Sequence, residues 1–411
     1  MDKVSRAPAA MNNLPLDWEE VHISDVTIRT KQRDPRRQPT MRFRYVDVSS
    51  VSNSSFRIVE ASEIEGSAAP SRARKEICAG DVLFATVRPT LKRVALVPPE
   101  LHGQIASTGF IVLRADPEKL NPRYLYSRLL TDAFIKRMGE LERGASYPAV
   151  RDTDILNEVV PVPPLPEQRK IAAVLGVVQR AMEQQERLLV LTAELKKALM
   201  HQLFTQGLRG EPQKQTDIGP VPESWEVVLF EQFALLQRGF DLPRSEFRDG
   251  HYPVVGATTT IGFHDKWNVK GPGVTVVRSG SSAGKPQFIA ADFWAHNVVL
   301  FVKDFHGHNP QFVYYKIQNL DLTKYREGVA VPTLNRNSFR TIPIAVPQRE
   351  EQDKFVQVLD SVEQKEELHR RKHATLSALF RTLLHQLMTA QLRVHNLDLP
   401  ELETGDKGIK V

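Results

Sequence analysis

The sequence has only one cysteine, Cys78, among its 411 residues. One cysteine excludes an intramolecular disulfide and a cysteine-rich zinc site, and it suits a reducing cytoplasm. No stretch of about eighteen apolar residues occurs, and the N-terminal region lacks an apolar h-region, so we expect neither a membrane span nor secretion. The sequence also lacks a complete glycine-rich cofactor-binding loop and a PD-(D/E)xK nuclease triad. We therefore expect a chain that is not an enzyme by itself and binds no cofactor.

Charge sets a second limit, because the formal net charge of +6 at pH 7 is mild for a chain of this length. Local clusters therefore matter more than the total. The densest basic run, Arg29 to Arg44, has seven Lys/Arg residues against one Asp. It is either a solvated loop or a DNA-facing loop, since arginine suits both phosphate and guanine. Candidate DNA contacts in this run and later in the chain are Lys31, Arg33, Arg36, Arg37, Arg42, Arg88, Lys92, Arg93, Arg238 and Arg244.

One long segment occurs twice: Glu167 to Arg209 returns 184 positions later as Glu351 to Arg393, without a gap. The copies share 16 of 43 residues, and neither contains proline. Their apolar residues recur every three to four positions, which predicts two helices of about 60 Å that pack along one apolar seam. The predicted seam residues are Ile171, Leu175, Val178, Met182, Leu195, Leu199, Leu203, Phe355, Leu359, Val362, Leu379, Leu383 and Leu387.

The segments that precede the two helices also repeat, so the repeating unit is a globular segment followed by a helix. The number of residues that separates equivalent positions falls along the globular segments, whereas it is constant along the two helices. Insertions therefore lie between the repeated motifs of the globular segments. We therefore predict an α+β protein with two similar mixed α/β domains, joined by two long antiparallel helices that form a coiled-coil spacer with pseudo-twofold symmetry. The repeated anchors are Pro-x-x-Trp (Pro15, Pro222), β-rich runs (Asp81 to Val87, Val274 to Arg278), Asn-Pro (Asn121, Asn309) and Gly-x-x-x-Pro (Gly144, Gly328).

Two motifs invite a catalytic interpretation. Asn121-Pro122-Arg123-Tyr124 is similar to an adenine methyltransferase signature but lacks its second proline, and we interpret Asn121 as a helix N-cap followed by proline. Gly280-Ser-Ser-Ala-Gly284-Lys285 is similar to a nucleophile elbow or a phosphate loop, but Pro286 follows where a helix is needed. We predict a glycine-rich hairpin there, which either touches phosphate or serves only as a turn. Its candidate DNA contacts are Arg278, Ser279, Ser281 and Lys285.

Three histidines, His296, His306 and His308, lie close in sequence without an Asp, Glu or Cys at a familiar ligand spacing. We therefore predict no metal site. Tyr147 and Asn335 lie beside the two Gly-x-x-x-Pro loops, and we interpret them as fold residues rather than DNA contacts.

The whole plan resembles the specificity subunit of type I restriction-modification systems. The resemblance runs from about Leu14 to Arg393, and its most specific parts are Pro164-Leu165-Pro166-Glu167-Gln168 with its helix and Arg278 to Gly284. It implies a non-catalytic reader of double-stranded DNA, in which each globular segment is a target-recognition domain for one half of an interrupted, asymmetric sequence. It also implies that the helices dock two methyltransferase (modification) subunits, and that restriction (nuclease/translocase) subunits join the complex.

In these terms the predicted segments are a tail (1–13), the first target-recognition domain (14–165), the first spacer helix (166–206), a linker (207–220), the second target-recognition domain (221–347), the second spacer helix (348–394) and a C-terminal tail (395–411). Two other interpretations of the repeat stay open. A duplicated scaffold would bind proteins and not DNA, and an enzyme acting alone on DNA would need the motifs that are missing.

Overall fold

In a computed structural model the chain forms two units, each of which combines one globular domain with half of each long helix. Unit 1 comprises residues 1–186 and 371–411, and unit 2 comprises residues 187–370. The structure describes residues 14–258, 260–328, 330–394 and 396. The predicted tails, 1–13 and 395–411, therefore lie outside the described residues, Asn396 apart. Among the described residues, no helix is both long and apolar enough to cross a membrane.

Unit 1 contains the first domain, whose strands and short helices precede the first long helix. The strands are β1 (Glu19–His22), β2 (Thr27–Ile28), β3 (Arg42–Val46), β4 (Ser62–Glu65), β5 (Ala73–Ile77), β6 (Val82–Ala85), β7 (Val94–Leu96), β8 (Gln104–Ser107), β9 (Phe110–Ala115) and β10 (Val159–Val162). The helices are α1 (Pro122–Leu129), α2 (Asp132–Leu141), α3 (Asp152–Leu156) and the long α4 (Leu165–Gln206), whose residues from Arg187 onward belong to unit 2.

Unit 2 contains the second domain. Its strands are β11 (Gln213–Thr216), β12 (Gly219–Pro222), β13 (Glu226–Leu229), β14 (Leu235–Arg238), β15 (Tyr252–Val255), β16 (Thr260–His264), β17 (Gly273–Val277), β18 (Pro286–Ile289), β19 (Trp294–Ala295), β20 (Val299–Asp304), β21 (Arg326–Glu327), β22 (Thr333–Leu334) and β23 (Pro343–Val346). Its helices are α5 (Phe230–Phe233), α6 (Pro310–Leu320) and the long α7 (Arg349–Met388), whose residues from Arg371 onward belong to unit 1.

The two domains share the central part of their strand topology. The order β2-β9-β6-β7 in the first domain is matched by β14-β20-β17-β18 in the second. A second sheet pairs β3 with β8 in parallel, as β15 pairs with β19. In each domain the strand that leads into the long helix pairs antiparallel with an early strand, β10 with β1 and β23 with β13. Each long helix therefore follows directly on a strand that is hydrogen-bonded to an earlier strand of the same domain.

The long helices pair antiparallel within each unit. In unit 1, Glu167 lies 2.7 Å from Arg393 and Glu186 lies 3.3 Å from His373. In unit 2, the Lys196 Nζ donates to Glu363 at 2.5 Å and the Leu208 amide donates to Glu351 at 3.0 Å. The predicted fold class, an α+β protein with two similar mixed domains and two long antiparallel helices, is confirmed.

Two of the predicted segment boundaries differ from the elements of the structure. Helix α7 stops at Met388 rather than 394, because Ala390 adopts a φ of 57° and the Leu392 amide turns back to the Gln386 carbonyl at 3.0 Å. Segment 207–220, predicted as a linker, contains strand β11 and part of β12, which form an antiparallel hairpin.

Most predicted seam residues are buried or partly buried. The prediction is wrong for Leu195 and Leu379, whose side chains are 50% and 44% exposed. The next residue faces inward in both copies, as Lys196 in unit 2 and Phe380 in unit 1. A straight α-helix turns about 100° per residue, so an apolar seam drifts away from a strict heptad over several turns. The core therefore takes Phe380 instead of Leu379, and it adds Met200 and Leu384 beside Leu199 and Leu383, which pack against it partly buried.

The repeated Asn-Pro motifs begin helices, as predicted. The Asn121 side chain accepts from the amides of Arg123 and Tyr124, and Asn309 accepts from those of Gln311 and Phe312. Each of these N-caps is also held by a glutamine at the start of a long helix, a contact that the sequence pattern did not reveal. The Asn121 amide donates to the Gln168 Oε1 at 2.7 Å, and the Asn309 amide donates to the Gln352 Oε1 at 3.0 Å.

Those two glutamines are 1% exposed, and each donates its Nε2 to the carbonyl of the proline five residues earlier. A buried amide with both ends bonded fixes the groups that it joins, because leaving either end unpaired would cost about 1–3 kcal/mol. The glutamine of the repeated Glu-Gln pair therefore couples the start of each long helix to the short helix of its own domain.

Candidate nucleic-acid interface

In the first domain, the loop after β6 lies against the Gly144 loop, although about sixty residues separate them in sequence. The Arg88 amide donates to the Pro148 carbonyl at 2.8 Å, and the Val150 amide donates to the Thr86 carbonyl at 3.0 Å. Arg88 adopts a left-handed backbone with a φ of 49° and is exposed. Its guanidinium carbon lies 6.0 Å from the centre of the Tyr147 ring. This pairing places a cation and an aromatic ring together on the surface.

Tyr147 is 77% exposed, so burial does not explain it as a fold residue. The loop that carries it is closed by reciprocal bonds between Arg143 and Ala149, at 2.9 and 3.0 Å. The Arg143 guanidinium binds Asp154 at 2.5 and 3.2 Å, and this hydrogen bonding lowers the pKa of the Asp154 carboxyl. The loop therefore holds its shape while the tyrosine projects outward, an arrangement that suits stacking on a base or contact with a sugar.

The second domain repeats the arrangement with different side chains. The Gly280 amide donates to the Pro332 carbonyl at 2.9 Å, and the Leu334 amide donates to the Arg278 carbonyl at 2.7 Å. Strands β17 and β18 pair antiparallel across Ser279 to Lys285, so the predicted glycine-rich hairpin is confirmed. Ser281 and Lys285 are exposed on it, and Ser279 is half-buried.

The glycine-rich hairpin is fixed by contacts with residues 322–326. The Arg326 Nε donates to the Ala283 carbonyl at 2.6 Å. Gly284 has a φ of +85°, and a Cβ there would lie 2.7 Å from the Thr323 backbone nitrogen, so only glycine fits. The turn therefore presents its polar groups in a fixed position.

A cavity of about 850 Å³ opens beside this hairpin. It brings together the predicted residues Arg238 and Arg278 with Phe240, Asn335 and Arg336. Phe240 is 43% exposed, which adds a ring beside the guanidinium groups. Asn335 caps a short helical turn by accepting from the Asn337 amide at 3.0 Å, so it has a fold role as well as a place in the cavity. Sequence analysis missed Phe240 and Arg336, which no repeat or charge run marks.

The basic run of the first domain divides into two groups. Lys31, Arg36 and Arg37 are exposed. Arg42 is exposed too, but it lies 3.5 Å from both Glu63 and Glu65 on the neighbouring strand. Arg33 donates to the Gly103 carbonyl at 2.7 Å and is therefore tied to the fold.

The remaining predicted residues differ in the same way. Arg93 points its Nη1 at the carbonyls of Val48, Ser49 and Val51, which makes it a loop anchor. Lys92 forms an ion pair with Asp132. Arg244 is exposed in a short turn of the second domain. Among the described residues, no group of three or more His, Cys, Asp or Glu side chains is arranged to hold a metal ion, and His308 bonds the Gln352 amide at 2.8 Å.

Comparisons with known proteins bear on this geometry. The model of the family described as the type I restriction modification DNA specificity domain matches residues 15–192 and 222–378. A putative type I restriction enzyme MjaX specificity subunit of Methanocaldococcus jannaschii is 24% identical over 225 residues, which are 53% of this chain and 53% of that protein. The MjaVIII specificity subunit of the same organism is 25% identical over 326 residues, 72% of this chain and 76% of that protein. The chain thus spans about half the length of the first relative.

Two solved structures have the same fold. One belongs to a study of complex assembly and conformational transition of the type I R-M system; it is 28% identical with a TM-score of 0.55, and the match covers 92% of this chain and 100% of that one. The other is the S subunit of a type I restriction-modification system from M. genitalium, 16% identical with a TM-score of 0.63, covering 91% and 97%. Since both halves of the repeat match the family, the chain belongs to the type I restriction-modification DNA specificity family.

Proposed function

We propose that the chain is the specificity subunit of a type I restriction-modification complex, and that its two domains read the two halves of an interrupted, asymmetric target in double-stranded DNA. One observation supports this most directly: both domains use the same framework to hold a loop after a central strand against a Gly-x-x-x-Pro loop, and each loop pair carries different side chains. A shared framework with different contact residues is what two readers of different sequences need.

The chain contributes recognition, and the chemistry belongs to its partners. Exposed lysine side chains, among them Lys31 and Lys285, supply phosphate contacts, whereas Arg88 in the first domain and Arg278 with Asn335 in the second have the donors that read base edges. The methyltransferase and restriction subunits take their target from this reading. The compartment is the cytoplasm, where a single unpaired cysteine stays reduced.

A face on the helices supports docking of the methyltransferase subunits. In the part of α4 that belongs to unit 2, Leu188, Leu191 and Leu195 are 37%, 49% and 50% exposed. Their spacing of three and four residues puts them on one side of the helix. An exposed apolar stripe is typical of a protein interface. We propose that this stripe binds a helix of a methyltransferase subunit.

Binding experiments with duplex DNA separate the reader from a scaffold. The complex of the chain with its methyltransferase subunits should bind a target duplex with an affinity that falls steeply with salt, by about 0.9 in the log–log slope for each phosphate contact. Lys31→Gln should lower that slope by about one contact, because it removes one phosphate-binding charge. Lys303→Gln, which removes one exposed positive charge outside both loops, is the control. A scaffold would show no salt-dependent difference between the complex and the methyltransferase subunits alone.

Introducing charge into the helical stripe tests the docking face. Leu191→Glu should weaken assembly with the methyltransferase subunits at least tenfold, because a carboxylate would be buried in an apolar contact. Lys197→Glu, on the opposite side of the same helix, should leave assembly unchanged. Size-exclusion chromatography with light scattering measures the assembly, and equal assembly of Leu191→Glu and wild type would rule out this face.

A further inference from the structure

Unit 1 contains a cavity of about 590 Å³ that the proposed function does not use. It lies between the C-terminal part of α1 with the start of α2 and the unit 1 parts of the two long helices. Its volume falls in the range of sites for small ligands, roughly 300–1,000 Å³. The walls are mainly apolar, formed by Phe56, Leu130, Met182, Phe380, Leu384 and Met388.

One charged side chain is buried in this apolar wall. Arg128, in α1, is 7% exposed, and its Nε has no hydrogen-bond partner. Burial lowers the pKa of Arg128, although an arginine stays protonated at neutral pH. A buried, unpaired donor of a cation is costly, because water has been removed without a replacement acceptor. An anion in the cavity would supply that acceptor.

The charged groups that line the cavity leave an excess of positive charge, and the nearby Glu158, which acts electrostatically on Arg128, is itself paired with Arg137 at 3.4 Å. Lys92 is paired with Asp132, and both residues line the cavity. Arg381 lines it as well and is exposed at the rim. The local field therefore favours an anionic group over a neutral or cationic one.

Unit 2 shows how the same position is satisfied without a ligand. Lys316 occupies the position of Arg128 in the repeat, and its Nζ lies 5.1 Å from the centre of the Phe204 ring and 5.7 Å from that of Trp225. Phe204 occupies the position of Met388. The cation in unit 2 thus meets an aromatic face, where unit 1 has the narrower methionine and an open cavity.

We propose that the unit 1 cavity binds a small organic anion with an apolar body, of the class of medium-chain carboxylates, whose carboxylate bonds the Arg128 guanidinium while the chain lies against the apolar wall. Bidentate pairing with a carboxylate matches the planar donors of arginine.

Isothermal titration of the full chain, in complex with its methyltransferase subunits where that is needed for solubility, tests the proposal with hexanoate, octanoate, decanoate and their primary amides. We expect saturable binding at one site. Affinity should rise about tenfold for each two added methylenes, following the transfer free energy of an alkyl chain. Each acid should bind at least about tenfold more tightly than its amide, because only the carboxylate forms an ion pair with the guanidinium, whereas the amide oxygen accepts an uncharged hydrogen bond.

Two variants separate the charge from the space. Arg128→Met should lower the affinity for the acids at least about tenfold and leave that for the amides unchanged. Met388→Phe, which introduces the residue found at this position in unit 2, should abolish binding of acids and amides together while Arg128 stays in place. Arg123→Gln, an exposed arginine of the same helix, is the matched control and should bind like wild type.

Several results would overturn the proposal. Equal binding of acid and amide would show that the cavity does not select an anion. An absence of saturable binding would show that the cavity is not a ligand site. If circular dichroism shows that Arg128→Met does not fold, Met388→Phe decides alone, and unchanged binding by that variant contradicts the proposal. If methyltransferase subunits displace octanoate and Arg128→Met weakens their assembly, the occupant is an acidic side chain of the partner rather than a small molecule.

Discussion

In unit 1 the buried carboxylate of Glu167 accepts from the Trp18 indole at 3.2 Å and from the Arg393 guanidinium at 2.7 and 2.8 Å. In unit 2 the equivalent Glu351 accepts from the Leu208 amide at 3.0 Å, while Arg209 lies 3.9 Å away. The Trp225 indole nitrogen has no partner there. The two copies thus keep one backbone framework but stabilise it by different chemistry, an ion pair with an indole in unit 1 and a ring cluster around a buried lysine in unit 2.

This difference shows which parts of the repeat carry the architecture. The order of one four-stranded sheet and the glutamine bonds to the N-cap asparagines are the same in both units, so they specify the fold. The side chains that fill the space around them differ from unit to unit. Equivalent substitutions in the two units should therefore have unequal effects on stability.

The largest effect is expected at a pair of equivalent helix positions, Phe380 in unit 1 and Lys196 in unit 2. Phe380→Ala should destabilise unit 1 by about 3–4 kcal/mol, because a ring that is 3% exposed is removed from the core. Lys196→Ala should cost unit 2 about 1 kcal/mol, since it loses an ion pair with Glu363 and a contact with the Tyr315 ring. Hydrogen exchange measured by mass spectrometry reports each unit separately. Leu379→Ala is the control and should cost less than about 0.5 kcal/mol.

The buried glutamates give a smaller contrast. Glu167→Gln should destabilise unit 1 by about 2–3 kcal/mol, because the Arg393 guanidinium keeps only Asp17 as a charged partner. Glu351→Gln should change unit 2 by less than about 1 kcal/mol, since Arg209 is beyond hydrogen-bond distance. Urea unfolding combined with hydrogen exchange measures both. Equal losses in the two variants would mean that the ion pair does not distinguish the units.

A pH dependence separates the buried cations. Burial lowers the pKa of Lys316 from 10.5 to about 8, so between these values the unfolded chain binds more protons than the folded one. The stability of unit 2 should therefore rise from pH 8 to 10.5, by at most about 3 kcal/mol. Lys316→Met should remove this rise, whereas Arg128→Met should not alter the pH dependence of unit 1 in that range, because arginine stays charged. Comparing each variant with wild type by denaturant unfolding isolates the effect.

Much of the fold could be predicted because its signals are local or repeated. Asparagine before proline specifies a helix start wherever it stands, and the glycine-rich stretch before Pro286 specifies a hairpin. Because the same motifs recur in both halves of the sequence, an interpretation of one domain applies to the other as well. By contrast, the inward face of the helices was shifted by one residue at Leu195 and Leu379, because apolar spacing alone does not locate a seam that drifts over several turns.

The candidate interface was harder to predict, because it is assembled from distant segments. The charge pattern marked Arg88 and Arg278, but only the structure brings them to Tyr147 and Asn335, about sixty residues further along the chain. Charge alone also cannot tell an exposed arginine from one that bonds the backbone. Arg33 and Arg93 have the same residue type as Arg36 and Arg37, yet they bond carbonyls of their own domain. Their DNA contacts stay predictions.

The most direct test of divided reading is a map of methylated bases in cells that express the complex with wild-type chain, with the double variant Arg88→Gln/Tyr147→Ala, or with Arg278→Gln. Wild type should give one interrupted motif with two defined halves. The first-domain variant should relax or abolish one half, and Arg278→Gln the other half, while the gap between them stays the same. Loss of selectivity in both halves from either variant, in a chain that still assembles, would contradict reading by two independent domains.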